Sequence, residues 1–221
     1  MKTLINVILD ESGSMGGKCS DVIGGFNQFL QEQRNGPDEA RISLVKFNTN
    51  HTIVHAAIPI ADAKELTTAT YVPGGMTALL DAVAQSVRLA DGAKQPDERV
   101  ICLVITDGEE NSSRETTKEQ VRVIIADREA RGDWTFTYLG ISPEQWHETG
   151  VVSSAMNAAA YNTSAPRQSF AVMSAATRNL RASASTRSGD FYAGVNQPSQ
   201  TIPPPPQNQK ADSDPWKRPH K

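Results

Sequence analysis

Asp10, Ser12 and Ser14 occupy alternate positions of the run DESGS, and each side chain ends in oxygen. Along an extended turn, that alternation lets the three oxygens converge on one side. Two further donors lie elsewhere in the chain: Thr77, which ends the loop GGMT, and Asp107, which follows the apolar run VICLVIT. Five oxygen donors without His or Cys describe a site for a hard cation. Only two of them are anionic. Such a set suits Mg²⁺, which keeps several waters and takes few carboxylates, better than Ca²⁺, which usually draws more carboxylate oxygens. Mn²⁺ satisfies the same reasoning. An ion held by so few charges keeps net positive charge, which an incoming carboxylate can neutralise.

The same residue types have other uses. Asp10 and Ser12 could cap a helix starting near Gly16 or Gly17. Asp81, one helical turn after Thr77, could support the site from behind or lie on a polar face. Glu109 and Glu110 could rim the site or be ordinary solvated loop acids. His51, His55, His147 and His220 lack ligand spacing and read as surface or edge-strand residues, and Trp134 and Trp146 as core or rim. Cys19 and Cys102 are too few for a disulfide framework and read as small core residues, which favours a cytoplasmic protein. An Mg²⁺-dependent phosphohydrolase of the haloacid-dehalogenase kind would also place an Asp after its first strand. It needs a second carboxylate two positions on, where this chain has Ser12. A serine hydrolase fares no better, because ESGSMG lacks the G-x-S-x-G elbow.

The elements that must position these residues alternate strand and helix. Leu4–Asp10 is almost continuously apolar, as a parallel strand covered on both faces should be. A helix over Lys18–Arg34 follows, with Val22, Ile23, Phe26, Phe29 and Leu30 at helical spacing, and Asn35-Gly36-Pro37 ends it. Arg41–Phe47 and His51–Ile58, joined by a short turn, predict an antiparallel edge hairpin. The Gly-Gly loop at 74–75 opens a helix over Thr77–Leu89. Then come a strand at Val100–Thr106, a helix over roughly Glu115–Arg131 and a strand at Trp134–Gly140. A short helix is expected at Pro143–Thr149 and a weak strand near Ala158–Tyr161. A last helix, capped by Ser164, runs to about Ala184 with Phe170, Met173, Ala176 and Leu180 on one side. Two of the three donor loops leave the carboxyl ends of strands, the edge at which open α/β sheets bind ligands.

With 221 residues and 38% hydrophobic content, the chain can fill one sizeable core with sequence to spare. We place the domain at 1–184 and a Pro-rich, disordered tail at 185–221, where PPPP at 203–206 excludes helix and central strand. The balance of 22 Lys and Arg against 25 Asp and Glu gives no nucleic-acid footprint. No apolar run reaches the roughly 20 residues that cross a bilayer, and the Leu4–Leu9 run is not a signal peptide.

DxSxS, a distant Thr in a GG-x-T loop and TDG after an apolar strand together resemble the full metal-ion-dependent adhesion site (MIDAS) of von Willebrand factor A (integrin I-like) domains. The resemblance covers roughly residues 1–180 and departs from the pattern at no motif position. It implies a three-layer, Rossmann-like α/β fold: a mostly parallel central sheet, one antiparallel edge strand, and helices on both faces. It also implies that Asp10, Ser12, Ser14, Thr77 and Asp107 hold the metal directly or through water, and that a Glu or Asp of a partner protein completes the coordination. The expected activity is protein binding rather than catalysis, in a stand-alone domain of the bacterial or phage type. A scaffold acting through the Pro-rich tail, which could present a polyproline surface to an aromatic groove, is the non-metal alternative.

Overall fold

A computed structural model describes residues 1–140, 157–160 and 165–195. Six strands form one sheet: β1 (Lys2–Asp10), β2 (Ala40–Phe47), β3 (His51–Pro59), β4 (Glu98–Ile105), β5 (Trp134–Gly140) and β6 (Asn157–Ala160). Their order is β3-β2-β1-β4-β5-β6. Every neighbouring pair is parallel except β2–β3. This is the mostly parallel sheet with one antiparallel edge strand that the sequence predicts. The helices α1 (Cys19–Arg34), α2 (Leu79–Ala93), α3 (Lys118–Ala130) and α4 (Pro166–Ala182) connect or follow the strands.

The period of two along β1 splits the core into two halves. Ile5, Val7 and Leu9 face the cluster containing Phe26 and Phe29 of α1 and Phe170 and Met173 of α4. Leu4 and Ile8 face the other, with Val83 and Val87 of α2, Val121 and Ile125 of α3, and Trp134, Phe136 and Tyr138 of β5. Both faces of the sheet are therefore covered, which is why Leu4–Leu9 of β1 and Val100–Ile105 of β4 read as almost continuously apolar. Asn6 is the polar exception within Leu4–Leu9, and its Oδ1 accepts from Ser86 Oγ of α2 at 3.0 Å. Helices α1 and α4 meet at Gly25, where an added Cβ would lie 2.5 Å from Phe170 Cδ2.

Several element boundaries move for local reasons. A 3₁₀ turn over Gly13–Lys18 precedes α1, so neither Asp10 nor Ser12 caps that helix. Helix α2 begins two residues later than predicted because Thr77 and Ala78 are tied into the preceding loop. Helix α3 begins at Lys118 because Thr117 and Gln120 form a reciprocal capping box. Helix α4 starts with Pro166 in its first turn. The predicted helix at Pro143–Thr149, its Trp146 and His147, and the cap Ser164 lie outside the described residues.

The tail boundary needs correction. Residues 185–195, assigned to the tail by their composition, pack onto the domain, with Phe191 and Tyr192 buried in the α1/α4 half of the core. Phe136 N on β5 donates to Ser188 Oγ at 2.9 Å, and Thr135 Oγ1 donates to Thr186 O at 2.6 Å. A short polar segment with two adjacent aromatics carries no periodic signal, so only tertiary contacts reveal it.

Candidate metal centre

Strand β1 ends at Asp10 and its neighbour β4 ends at Ile105, with Leu9 opposite Ile105 in register. The sheet itself therefore delivers Asp10 and the Thr106-Asp107 pair side by side at its carboxyl edge. The loop 71–78 reaches the same edge from β3 and is stitched down on both sides. Gly13 N donates to Gly75 O at 3.1 Å and Gly74 N to Glu11 O at 2.9 Å. On the other flank, Met76 N donates to Thr49 Oγ1 at 2.9 Å and Ala78 N to Asn48 O at 2.8 Å. Gly75 has φ +78, and a Cβ there would stand 2.8 Å from Thr49 Oγ1. Glycine at 75 is thus a requirement of the loop's path.

All five sequence-predicted donors meet at this edge. Ser12 Oγ lies 3.1 Å from Ser14 Oγ, and Ser14 Oγ donates to Asp107 Oδ1 at 2.6 Å. Around the point where a Cβ on Gly108 would sit, Thr77 Oγ1 lies at 3.2 Å, Ser14 Oγ at 3.5 Å and Asp10 Oδ2 at 3.7 Å. Three loops thus bring hydroxyl and carboxylate oxygens around one position. Among the described residues, no three His, Cys, Asp or Glu cluster in a way that could hold a metal. The site's ligand capacity therefore rests on hydroxyls plus two carboxylates. That donor chemistry can accept a hard divalent cation and offers nothing to a soft one.

Asp10 is fully buried. Its Oδ1 accepts from Ser12 N at 2.6 Å and its Oδ2 from Thr106 Oγ1 at 2.5 Å. Burial pushes its carboxyl above the usual aspartate range, outweighing the hydrogen bonds from Thr106 and Ser12, and the Asp107 charge acts in the same direction. Asp107 is also buried, and the Lys18 ammonium donates to its Oδ2.

Several residues that build the site lie outside the sequence-predicted set. Thr106 fixes Asp10, and its Oγ1 also accepts from Gly108 N at 3.1 Å. Asn111 holds Thr77, accepting from Thr77 N at 2.8 Å through Oδ1 and donating its own N–H to Thr77 O at 3.1 Å. Tyr71 donates its hydroxyl to Asp10 O at 2.6 Å. Glu11, between two motif residues, pairs with Lys46 Nζ at 2.7 Å and accepts from Val72 N at 2.6 Å. The one local signal was Thr106, a hydroxyl closing an otherwise apolar run; the others are joined only by the fold.

The open alternatives for Glu110 and Asp81 also resolve. Glu110 neither rims the site nor is merely solvated. It takes Leu80 N at 3.0 Å at the start of α2, and Ser112 N and Ser113 N of its own loop at 2.9 and 2.7 Å. Asp81 accepts from the backbone N–H groups of Arg114 and Thr116 at 2.8 and 2.7 Å, anchoring the loop that carries Asp107 and Asn111. His55 is buried beside Lys64, with its Nε2 3.2 Å from Lys64 N. Cys102 is a buried core thiol, pushed up to about 12 by burial, and Cys19 packs against the core; both are free.

An α/β sheet that gathers hydroxyl and carboxylate oxygens from three loops at its carboxyl edge defines the class of protein. The family model for the von Willebrand factor type A domain matches residues 5–176, and the chain belongs to that family. No curated protein matches it by sequence. Among solved structures, the PilB minor pilin from Streptococcus sanguinis superposes with a TM-score of 0.60 at 12% identity, covering 81% of this chain and 62% of that one. A von Willebrand factor type A protein from Catenulispora acidiphila gives 0.57 at 19% identity, covering 80% and 42%. Proximal thread matrix protein 1 from the mussel byssus, with a zinc-occupied MIDAS motif, gives 0.58 at 16% identity, covering 86% and 48%. The chain thus spans less than two thirds of each of these proteins, and at such identities the likeness is one of fold.

Proposed function

We propose that the chain is a divalent-metal-dependent protein-binding module, with no catalytic role, that captures an Asp or Glu of a partner protein. Asp10, Ser12, Ser14, Thr77 and Asp107 would hold the ion, Mg²⁺ by preference with Mn²⁺ as a substitute, and the ion would supply the positive charge that the partner's carboxylate meets. The observation that carries this reading is the convergence of hydroxyl and carboxylate oxygens from three loops at one open sheet edge. The zinc-occupied MIDAS of the mussel protein supports a metal in this kind of site. A protein partner is supported by the rim: Val72 and Met76, on the loop that carries Thr77, are 63% and 51% exposed and offer apolar contact beside the charge. The haloacid-dehalogenase alternative gains no support, since position 12 is a serine. We place the protein in the cytoplasm, in keeping with two free cysteines, one of them a buried core thiol.

Titration calorimetry with Mg²⁺ tests the metal step. The chain should bind the ion, and Mg²⁺ at about 100 times its dissociation constant should stabilise the fold by about 2.7 kcal/mol. An Asp10→Ala variant that binds as tightly as the parent sinks the assignment. Immobilised Glu-containing peptides should then retain the protein in Mg²⁺ and release it in EDTA.

A further inference from the structure

Lys18 is the last residue of the 3₁₀ turn Gly13–Lys18, which carries Ser14 into the site. Its ammonium reaches across to Asp107, whose side chain is 0% exposed while that of Lys18 is 20% exposed. Each Asp107 oxygen is consequently held by a donor of the chain itself: Oδ1 by the Ser14 hydroxyl and Oδ2 by Lys18. Among the described residues, Lys18 forms no other ion pair. Opposite it stand two buried carboxylates, Asp10 and Asp107.

We propose that Lys18 is a tethered cation that competes with the divalent ion for Asp107, so that metal loading and lysine release are one exchange. The proposal rests on the metal-site reading above. Neutralisation of a buried carboxylate has to come from somewhere. Without a divalent ion, the lysine supplies it in place, at the high effective concentration a tether gives. A divalent ion that draws on Asp107 has to win that oxygen from the ammonium, and its apparent affinity falls accordingly. There is open space beside the turn for the lysine to swing into. Gly13, Gly16 and Gly17 are exposed, and a Cβ at Gly16 or Gly17 would meet nothing within 4 Å. The side chain already emerges partly into water, where a released ammonium is well solvated.

The test is calorimetric titration of the full chain, stripped with EDTA, with MgCl₂ and MnCl₂. Lys18→Met should bind Mg²⁺ between about five- and a hundredfold more tightly than the parent. Lys18→Arg, which keeps the charge, should bind like the parent. Thermal melting gives an independent readout: Lys18→Met should melt lower than the parent in EDTA yet gain more on adding Mg²⁺. A parent that binds Mg²⁺ while Lys18→Met binds equally or less tightly overturns the proposal and leaves the metal site standing. If neither protein binds Mg²⁺ or Mn²⁺, both the proposal and the metal-site reading are overturned. Should Lys18→Met not fold, Lys18→Gln keeps a donor for Asp107 without the charge. It should still bind Mg²⁺ more tightly than the parent, and equal affinity overturns the exchange.

Discussion

Thr106 offers a sharp way to ask whether the site's geometry is held by its supporting hydroxyls. The side chain is fully buried, donates to Asp10 Oδ2 at 2.5 Å and accepts from Gly108 N at 3.1 Å. Thr106→Val keeps the shape and removes both bonds. A hydrogen bond to a charged group contributes about 1.5–3 kcal/mol, and a buried donor left unpaired costs about 1 kcal/mol or more. Together these predict a loss of roughly 2–4 kcal/mol. For a domain of this size that lowers the melting temperature by roughly 5–15 °C. The assay is urea and thermal unfolding in EDTA, where no metal contributes. The deficit should be larger at about pH 7 than at about pH 4, because the Thr106 donor favours the ionised form of Asp10 over the neutral one. Thr106→Ser, which restores the hydroxyl, should recover most of the loss. With the orientation of Asp10 relaxed, affinity for Mg²⁺ should also fall by about 10- to 100-fold, the usual effect of removing a group that orients a ligand. A Thr106→Val protein with the parent's unfolding midpoint at both pH values would refute the reasoning.

Two further substitutions probe burial and charge. Asp10 has a folded-state pKa above its ordinary 3.8, so the native state holds that proton more tightly than the unfolded chain. Stability is lost as pH rises from the ordinary value through the raised one, and the full penalty persists above it. Asp10→Asn should therefore lose less stability than the parent between acid and neutral pH in EDTA, and show no gain with Mg²⁺. A variant whose melting temperature tracks the parent's across that pH range would contradict this account. At the opposite end of the sheet, Arg181 is buried, its Nε donating to Asp38 Oδ1 at 2.7 Å and its Nη1 to Gln33 O at 2.7 Å. Arg181→Met strands those partners and should cost about 3–5 kcal/mol in urea unfolding, without changing Mg²⁺ affinity.

The amino-acid sequence by itself determined the alternation of strands and helices, because period two and period 3.6 are local signals. It also singled out Asp10, Ser12, Ser14, Thr77 and Asp107, since each lies beside the end of an apolar run or the mouth of a helix. Helix α3 began at its capping box for an equally local reason. What joins Thr106 to Asp10, Asn111 to Thr77, Glu110 to α2 and Lys18 to Asp107 is the sheet register and the path of the 71–78 loop. The separations along the chain are 96, 34, 30 and 89 residues. No periodicity spans such distances. The packing of Phe191 and Tyr192 belongs with them: two aromatics in a polar stretch become core only when β5 and α1/α4 leave a place for them. Local chemistry nominated the donors, while the tertiary structure decided how they are held and which cation of the chain's own stands among them.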